Sequence, residues 1–187
     1  MLLDIFLLLV AVGVIALASA EGVVRAFFLL LSFYMLCIVI GMMILGFDLV
    51  SSLADAIIGS ISEGAVNRKL YQVTIFLGLL IPLTALAYVL THVAFEDTQL
   101  TKLKWGDNVL GTFVGILAAV LMMSILCNAW GVLVSERWEP QRTWQRLWYE
   151  YQTSILRPWL NRVLVSYRTF VFPFEIRGYP VFFVPQS

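Results

Sequence analysis

The chain is 187 residues long, 61% hydrophobic and only 13% charged, with a formal net charge of zero and a mean hydropathy of +0.91. Soluble globular chains carry about 45–50% apolar and about 25% charged residues, so a water-soluble globule is excluded and lipid must solvate much of the surface. The balanced charge also excludes a bulk basic footprint for nucleic acid.

The hydrocarbon core of a bilayer is about 30 Å thick, so a spanning helix needs about 20 mostly apolar residues. The first such segment runs from Ile5 to Ala20, with no charge between Asp4 and Glu21. Ala18-Ser19-Ala20 also fits a signal-peptide cleavage site, but Asp4 stands where a signal peptide is basic, and the segment reads as a retained helix. The second segment, Ala26 to Phe47, is uncharged throughout. Glu21 and Arg25 lie four apart at the junction. They read as an ion pair at the membrane surface, with a polar gate or ion-path element as the sharper alternative. Cys37 and Cys127 each sit in an apolar run and read as small packing residues.

Between the second and third segments, Leu49, Leu53, Ile57, Ile61 and Ala65 recur every four residues. That stripe predicts a short amphipathic helix over 48–69, lying along the membrane surface or folded back against the bundle. The third span, Leu70 to Phe95, contains Pro82, which predicts a kink, and His92, the only histidine. A lone interfacial histidine is usually just hydrogen-bonded; the alternative is ligation of a haem or pigment. The fourth span, Asn108 to Ser135, follows Gly106 and Asp107, either of which suits its amino-terminal cap. Gly111 and Gly115 form a GxxxG that permits close helix approach in lipid. Packing within the bundle is favoured over dimerisation. Scattered hydroxyl and amide residues (Ser32, Thr74, Thr84, Thr91, Thr112, Ser124, Asn128) read as interhelical hydrogen-bond glue rather than as a transport path.

The tail, residues 136–187, holds four of the six tryptophans. Pro140 suits a first helical turn, and Trp144, Trp148, Tyr151 and Ile155 then share a face. Pro158 ends or restarts that helix, after which Trp159, Val163, Leu164 and Tyr167 continue the stripe. Tryptophan with arginine on an amphipathic helix predicts an interfacial element anchored by Trp144, Trp148 and Trp159. The stretch from Phe170 to Ser187 is aromatic and proline-punctuated, too apolar for a solvated tail, and is expected to pack against something.

With four spans, nine Lys and Arg fall on the side of the amino terminus and the tail, against three on the other. The positive-inside rule then places both termini in the cytoplasm. No nucleotide fingerprint, HExxH, GxSxG or CxxC pattern is present, so no catalytic residue is assigned and an enzyme is not expected.

Three stretches carry a family resemblance: Asp4-Ile5 opening the first helix, Gly22-Val23-Val24-Arg25 between the first two, and Asp107-Asn108-Val109-Leu110-Gly111 with Gly115 entering the fourth. Together with the order of the helices, they make residues 1–135 resemble the colicin V production protein (CvpA-like) family of small bacterial inner-membrane proteins. The resemblance implies a role in export or the cell envelope, without an assigned enzymatic activity.

The expected fold is an all-α integral membrane protein, a four-transmembrane-helix bundle with interfacial amphipathic helices and an aromatic carboxyl-terminal tail. The expected function is that of a non-enzymatic scaffold or interaction protein in the bacterial inner membrane. Its expected partners are membrane lipids and either other membrane-protein subunits or itself. A second reading is an accessory subunit of a larger respiratory or photosynthetic complex, docked through its helices and tail. The sequence requires no cofactor, while leaving room for bound lipid or pigment.

Overall fold

The computed structural model describes residues 1–46, 68–94, 104–135, 137 and 141–171; among these it is helical almost throughout and contains no strand. Four long helices come first: α1 (Leu2–Glu21), α2 (Val23–Gly46), α3 (Arg68–Ala94) and α4 (Lys104–Val134). Each is long and apolar enough to cross a membrane. Two shorter helices, α5 (Gln141–Gln152) and α6 (Arg157–Val171), follow. The protein is an all-α membrane protein. The surface helix expected over 48–69 and the aromatic end of the tail fall largely or wholly outside the described residues.

The helices begin earlier than hydropathy alone predicts. Asp4 and Glu21 lie inside α1, and Asp107 lies inside the first turn of α4. Each of these carboxylates accepts hydrogen bonds from another element, so a charge at a helix end need not mark the end of the helix. The third helix runs through Pro82.

In lipid, burial from water does not drive helices together, and close packing and interhelical hydrogen bonds must do so. The most extensive interface is α1 against α4, with α2 packing on both α3 and α4. Leu3, Leu7 and Ala11 of α1 are buried with Ala119, Met123 and Cys127 of α4. A second cluster joins Phe33, Cys37 and Ile40 of α2 to Phe76 and Leu80 of α3 and Leu121 and Ile125 of α4. The first helix is therefore an integral wall of the bundle, which gives no support to a signal-peptide reading. The outward faces (Leu9, Val12, Ile81 and Val93 among them) are apolar and exposed, as lipid requires.

The tail folds back along α4. The Trp144 indole N–H donates to the Val134 carbonyl at 3.1 Å, and the Trp130 indole donates to the Leu147 carbonyl at 3.2 Å. Further on, the Tyr167 hydroxyl donates to the Leu117 carbonyl at 3.2 Å. As the tail number rises the α4 number falls, so α5 and α6 run antiparallel to α4. The two are separated by a break at 153–156, and Pro158 lies in the first turn of α6, where its missing N–H is harmless. Leu160 and Leu164 are fully buried.

Leu117 lies about 20 Å along α4 from Lys104 at 1.5 Å per residue, well inside the span. Tyr167 and Tyr34 of α2 pack on the same buried cluster. Thus α6 re-enters the bundle beside α4, with the apolar side of its amphipathic stripe turned inward. Its polar Arg157, Asn161 and Arg162 occupy the first turns, nearest the amino terminus of α1. This depth predicts the reactivity of an engineered thiol in intact membranes. Ser166→Cys, on the exposed side of α6, resists a water-soluble maleimide, because thiol alkylation needs the hydrated thiolate. Gln145→Cys on α5 is labelled readily. Equal labelling of the two contradicts re-entry.

Candidate functional site

The sharpest contact in the bundle is where α4 meets the end of α1. A Cβ at Gly111 would lie 2.6 Å from the Ala18 carbonyl oxygen and 3.1 Å from the Gly22 carbonyl carbon. One turn on, a Cβ at Gly115 would lie 2.6 Å from the Ala18 Cβ and 3.2 Å from the Ile15 Cα. Any side chain at either position forces backbones apart. The GxxxG face of Gly111 and Gly115 is thus occupied by this chain's own α1.

That seam places Asp107, one turn before Gly111, opposite the turn between α1 and α2. The turn is a single residue, Gly22, with φ +83°, a left-handed conformation that glycine adopts without steric cost. A Cβ there would also overlap the Asp107 carboxylate. Gly22 accepts the first intrahelical bond of α2, from the Ala26 N–H at 3.1 Å, but has no side chain with which to cap it. Asp107 Oδ1 does so instead, accepting from the Val23 N–H at 2.9 Å. The sequence offers Gly106 or Asp107 as the cap of α4 itself, yet both lie inside that helix. Because α4 starts at Lys104, the Asp107 carboxylate is free to turn outward and cap α2, where it also meets the favourable end of that helix's dipole.

Beside the turn lies a polar cluster. Arg25 Nη1 donates to Glu21 Oε2 at 2.6 Å, and the Tyr88 hydroxyl donates to Glu21 Oε1 at 2.8 Å. Arg25 Nη1 also lies 3.3 Å from His92 Nδ1, and the Tyr88 and His92 rings stack with centroids 6.3 Å apart. Arg25 is 8% exposed. The Glu21–Arg25 pair therefore spans the α1–α2 turn and is tied to α3 through Tyr88 and His92. A guanidinium only donates, so His92 Nδ1 is the acceptor of this contact, and the ring serves as a hydrogen-bonded member of the cluster. Among the described residues, no group of three or more His, Cys, Asp or Glu is placed to hold a metal ion.

At the opposite end, the tail is tied to the start of α1. Asp4 Oδ1 accepts from the Ser154 hydroxyl at 2.7 Å and from the Leu156 N–H at 3.3 Å. Glu150 Oε2 accepts from the amino-terminal ammonium at 2.5 Å and from the Leu2 N–H at 2.8 Å. The ammonium's hydrogen bond chiefly, with help from the backbone N–H, holds the Glu150 carboxyl below its ordinary value.

The three tryptophans expected to anchor the tail separate. Trp144 bonds to Val134 and lies under Arg137 at 5.6 Å, whereas Trp148 and Trp159 are 42% and 49% exposed. The buried positions are Tyr151, Leu160 and Leu164. Three of the residues expected to glue helices together bond within their own helix. Thr91, Thr112 and Ser124 donate to the carbonyls of Ala87, Asn108 and Val120, each four residues back. Tyr88, Glu150 and Ser154 had no sequence signal beyond being polar. Asp4 did have one, as a lone charge opening an apolar helix.

This geometry defines a four-span helical membrane protein whose carboxyl-terminal helices fold back on the last span. The sequence matches the family model described as Colicin V production protein over residues 3–165, and the chain belongs to that family. The match continues through α5 and into α6, past residue 135, where the motif resemblance ended. No curated protein and no solved structure matches the chain.

Substitutions at two positions test this end of the bundle. Gly111→Leu destabilises the bundle by about 3 kcal/mol or more, since backbone rather than a mobile side chain obstructs it; unchanged folding and association in detergent contradict the seam. Asp107→Ala lowers stability by about 1 kcal/mol, and Asp107→Asn, which keeps an acceptor, by less. Equal losses in SDS-unfolding titrations exclude the capping role.

Proposed function

We propose that this chain is a non-enzymatic scaffold of the bacterial inner membrane, serving export or envelope maintenance, with its amino terminus and α5 on the cytoplasmic side. One observation carries the reading. The charged groups that would be candidates for chemistry are engaged in holding helices together: Glu21 and Arg25 across the α1–α2 turn, Asp107 on α2, and Asp4 and Glu150 on the tail. Membership of the Colicin V production protein family supports the export or envelope context. The excess of Lys and Arg at the amino-terminal and tail end supports the orientation.

A second reading, an accessory subunit of a larger membrane complex, draws support from the outward face of α5 and α6. Trp148, Tyr149, Ile155 and Trp159 are exposed there, and exposed aromatics next to arginine are typical of partner contacts. Gentle extraction of native membranes, followed by native sizing and mass spectrometry, separates the two. The scaffold reading expects this chain alone or as a homo-oligomer. Stoichiometric co-migration with other subunits, lost in Trp148→Ala/Trp159→Ala, overturns it in favour of the second.

A further inference from the structure

The bundle is not packed evenly. A cavity of about 480 Å³ opens between α1 and α3, with Val10 and Leu17 of α1 and Thr84 and Tyr88 of α3 on its walls, and Leu30 of α2 and Ala118 of α4 further round it. Its α1 wall extends from Phe6 to Ala18, about 18 Å at 1.5 Å per residue. A site of this size lies within the usual range for bound small molecules. The lining is almost wholly apolar, so water would find too few partners there, and an empty space of this volume forfeits the dispersion contacts of its walls. A flexible hydrocarbon chain matches both the shape and the chemistry.

Two polar features mark the cavity as more than a crease filled by passing lipid. At its mouth Tyr88 belongs both to the lining and to the Glu21–Arg25–His92 cluster. One helical turn deeper, the Thr84 hydroxyl is buried with no hydrogen-bond partner, although threonine in a helix commonly bonds the carbonyl four residues back. A buried unpaired hydroxyl costs about 1–3 kcal/mol, and a ligand carbonyl at that depth would remove the cost. The mouth carries both signs of charge. Glu21 is a carboxylate with further acceptor capacity, and His92, whose side chain is 57% exposed, presents an Nε2–H donor. Glu21 gives a cation an acceptor, and His92 with Arg25 behind it gives an anion a donor, so a zwitterionic head finds one partner for each charge.

We propose that the cleft between α1 and α3 is a specific site for one phospholipid with a phosphoethanolamine head. One acyl chain fills the cavity, an ester carbonyl meets Thr84, the phosphate accepts from His92, and the ammonium donates to Glu21. This assigns the chain a lipid-recognition function independent of whether it acts as a scaffold or as a subunit.

The test uses the full-length protein reconstituted into nanodiscs of equal phosphatidylethanolamine and phosphatidylglycerol with matched chains, followed by release into mild detergent and native mass spectrometry of retained lipid. The site predicts one retained phosphatidylethanolamine, enriched at least about tenfold over the other lipid, as two charge-assisted hydrogen bonds allow. His92→Ala reduces that enrichment toward parity, Thr84→Val lowers occupancy by about fivefold, and Val10→Trp, which fills the cleft, abolishes retention. Should Val10→Trp fail to fold, Thr84→Val decides, because it removes only an unpartnered hydroxyl. Retention in proportion to the nanodisc mixture, preference for phosphatidylglycerol, or occupancy unaffected by Thr84→Val overturns the proposal.

Discussion

Backbone contact between α1 and α4 is the constraint from which the rest of this structure follows. With no side chain at Gly111 or Gly115, the two helices approach until Ala18 and Ile15 touch the α4 backbone. In lipid such approach is where association energy arises, through dispersion and complementary shape. Its consequence is register. Once Gly111 is seated on Ala18, Asp107 can reach only the Gly22 turn, and it caps α2. The direction in which α2 leaves α1 is thereby fixed by a residue on α4.

The described ion pairs lie at the two ends of the bundle. At one end Glu21, Arg25, Tyr88 and His92 join the first three helices, and at the other Asp4 and Glu150 hold the tail. Charges at the membrane centre are costly, and these pairs sit near helix ends. Ser124 turns its hydroxyl back on its own helix, and the cleft between α1 and α3 is apolar along most of its length.

Much of this is legible in the sequence. The four spans follow from length and hydropathy, and Gly111 and Gly115 announce a close contact by their spacing and by the small residues after them. What spacing does not reveal is the partner, so Asp107 reads as a cap for its own helix until the register against α1 is known. The tail was the harder case. An amphipathic helix has the same periodicity whether its apolar face meets lipid headgroups or another helix, so the re-entry of α6 could not be told from surface docking. Choosing anchors by residue type selected Trp148 and Trp159, which face outward, while Tyr151, Leu160 and Leu164 carry the burial. Tyr88 carries no signal at all, because its role depends on how the end of α3 meets the α1–α2 turn.

The most direct test of the central claim is a double-mutant cycle between Gly115 and Ala18, read by SDS-induced unfolding. A Cβ at Gly115 meets the Ala18 Cβ at 2.6 Å, so Gly115→Ala is destabilising, and adding Ala18→Gly should relieve that overlap. A favourable coupling of about 1 kcal/mol or more between the two substitutions is expected. Strictly additive effects would mean that α1 and α4 do not meet along this seam.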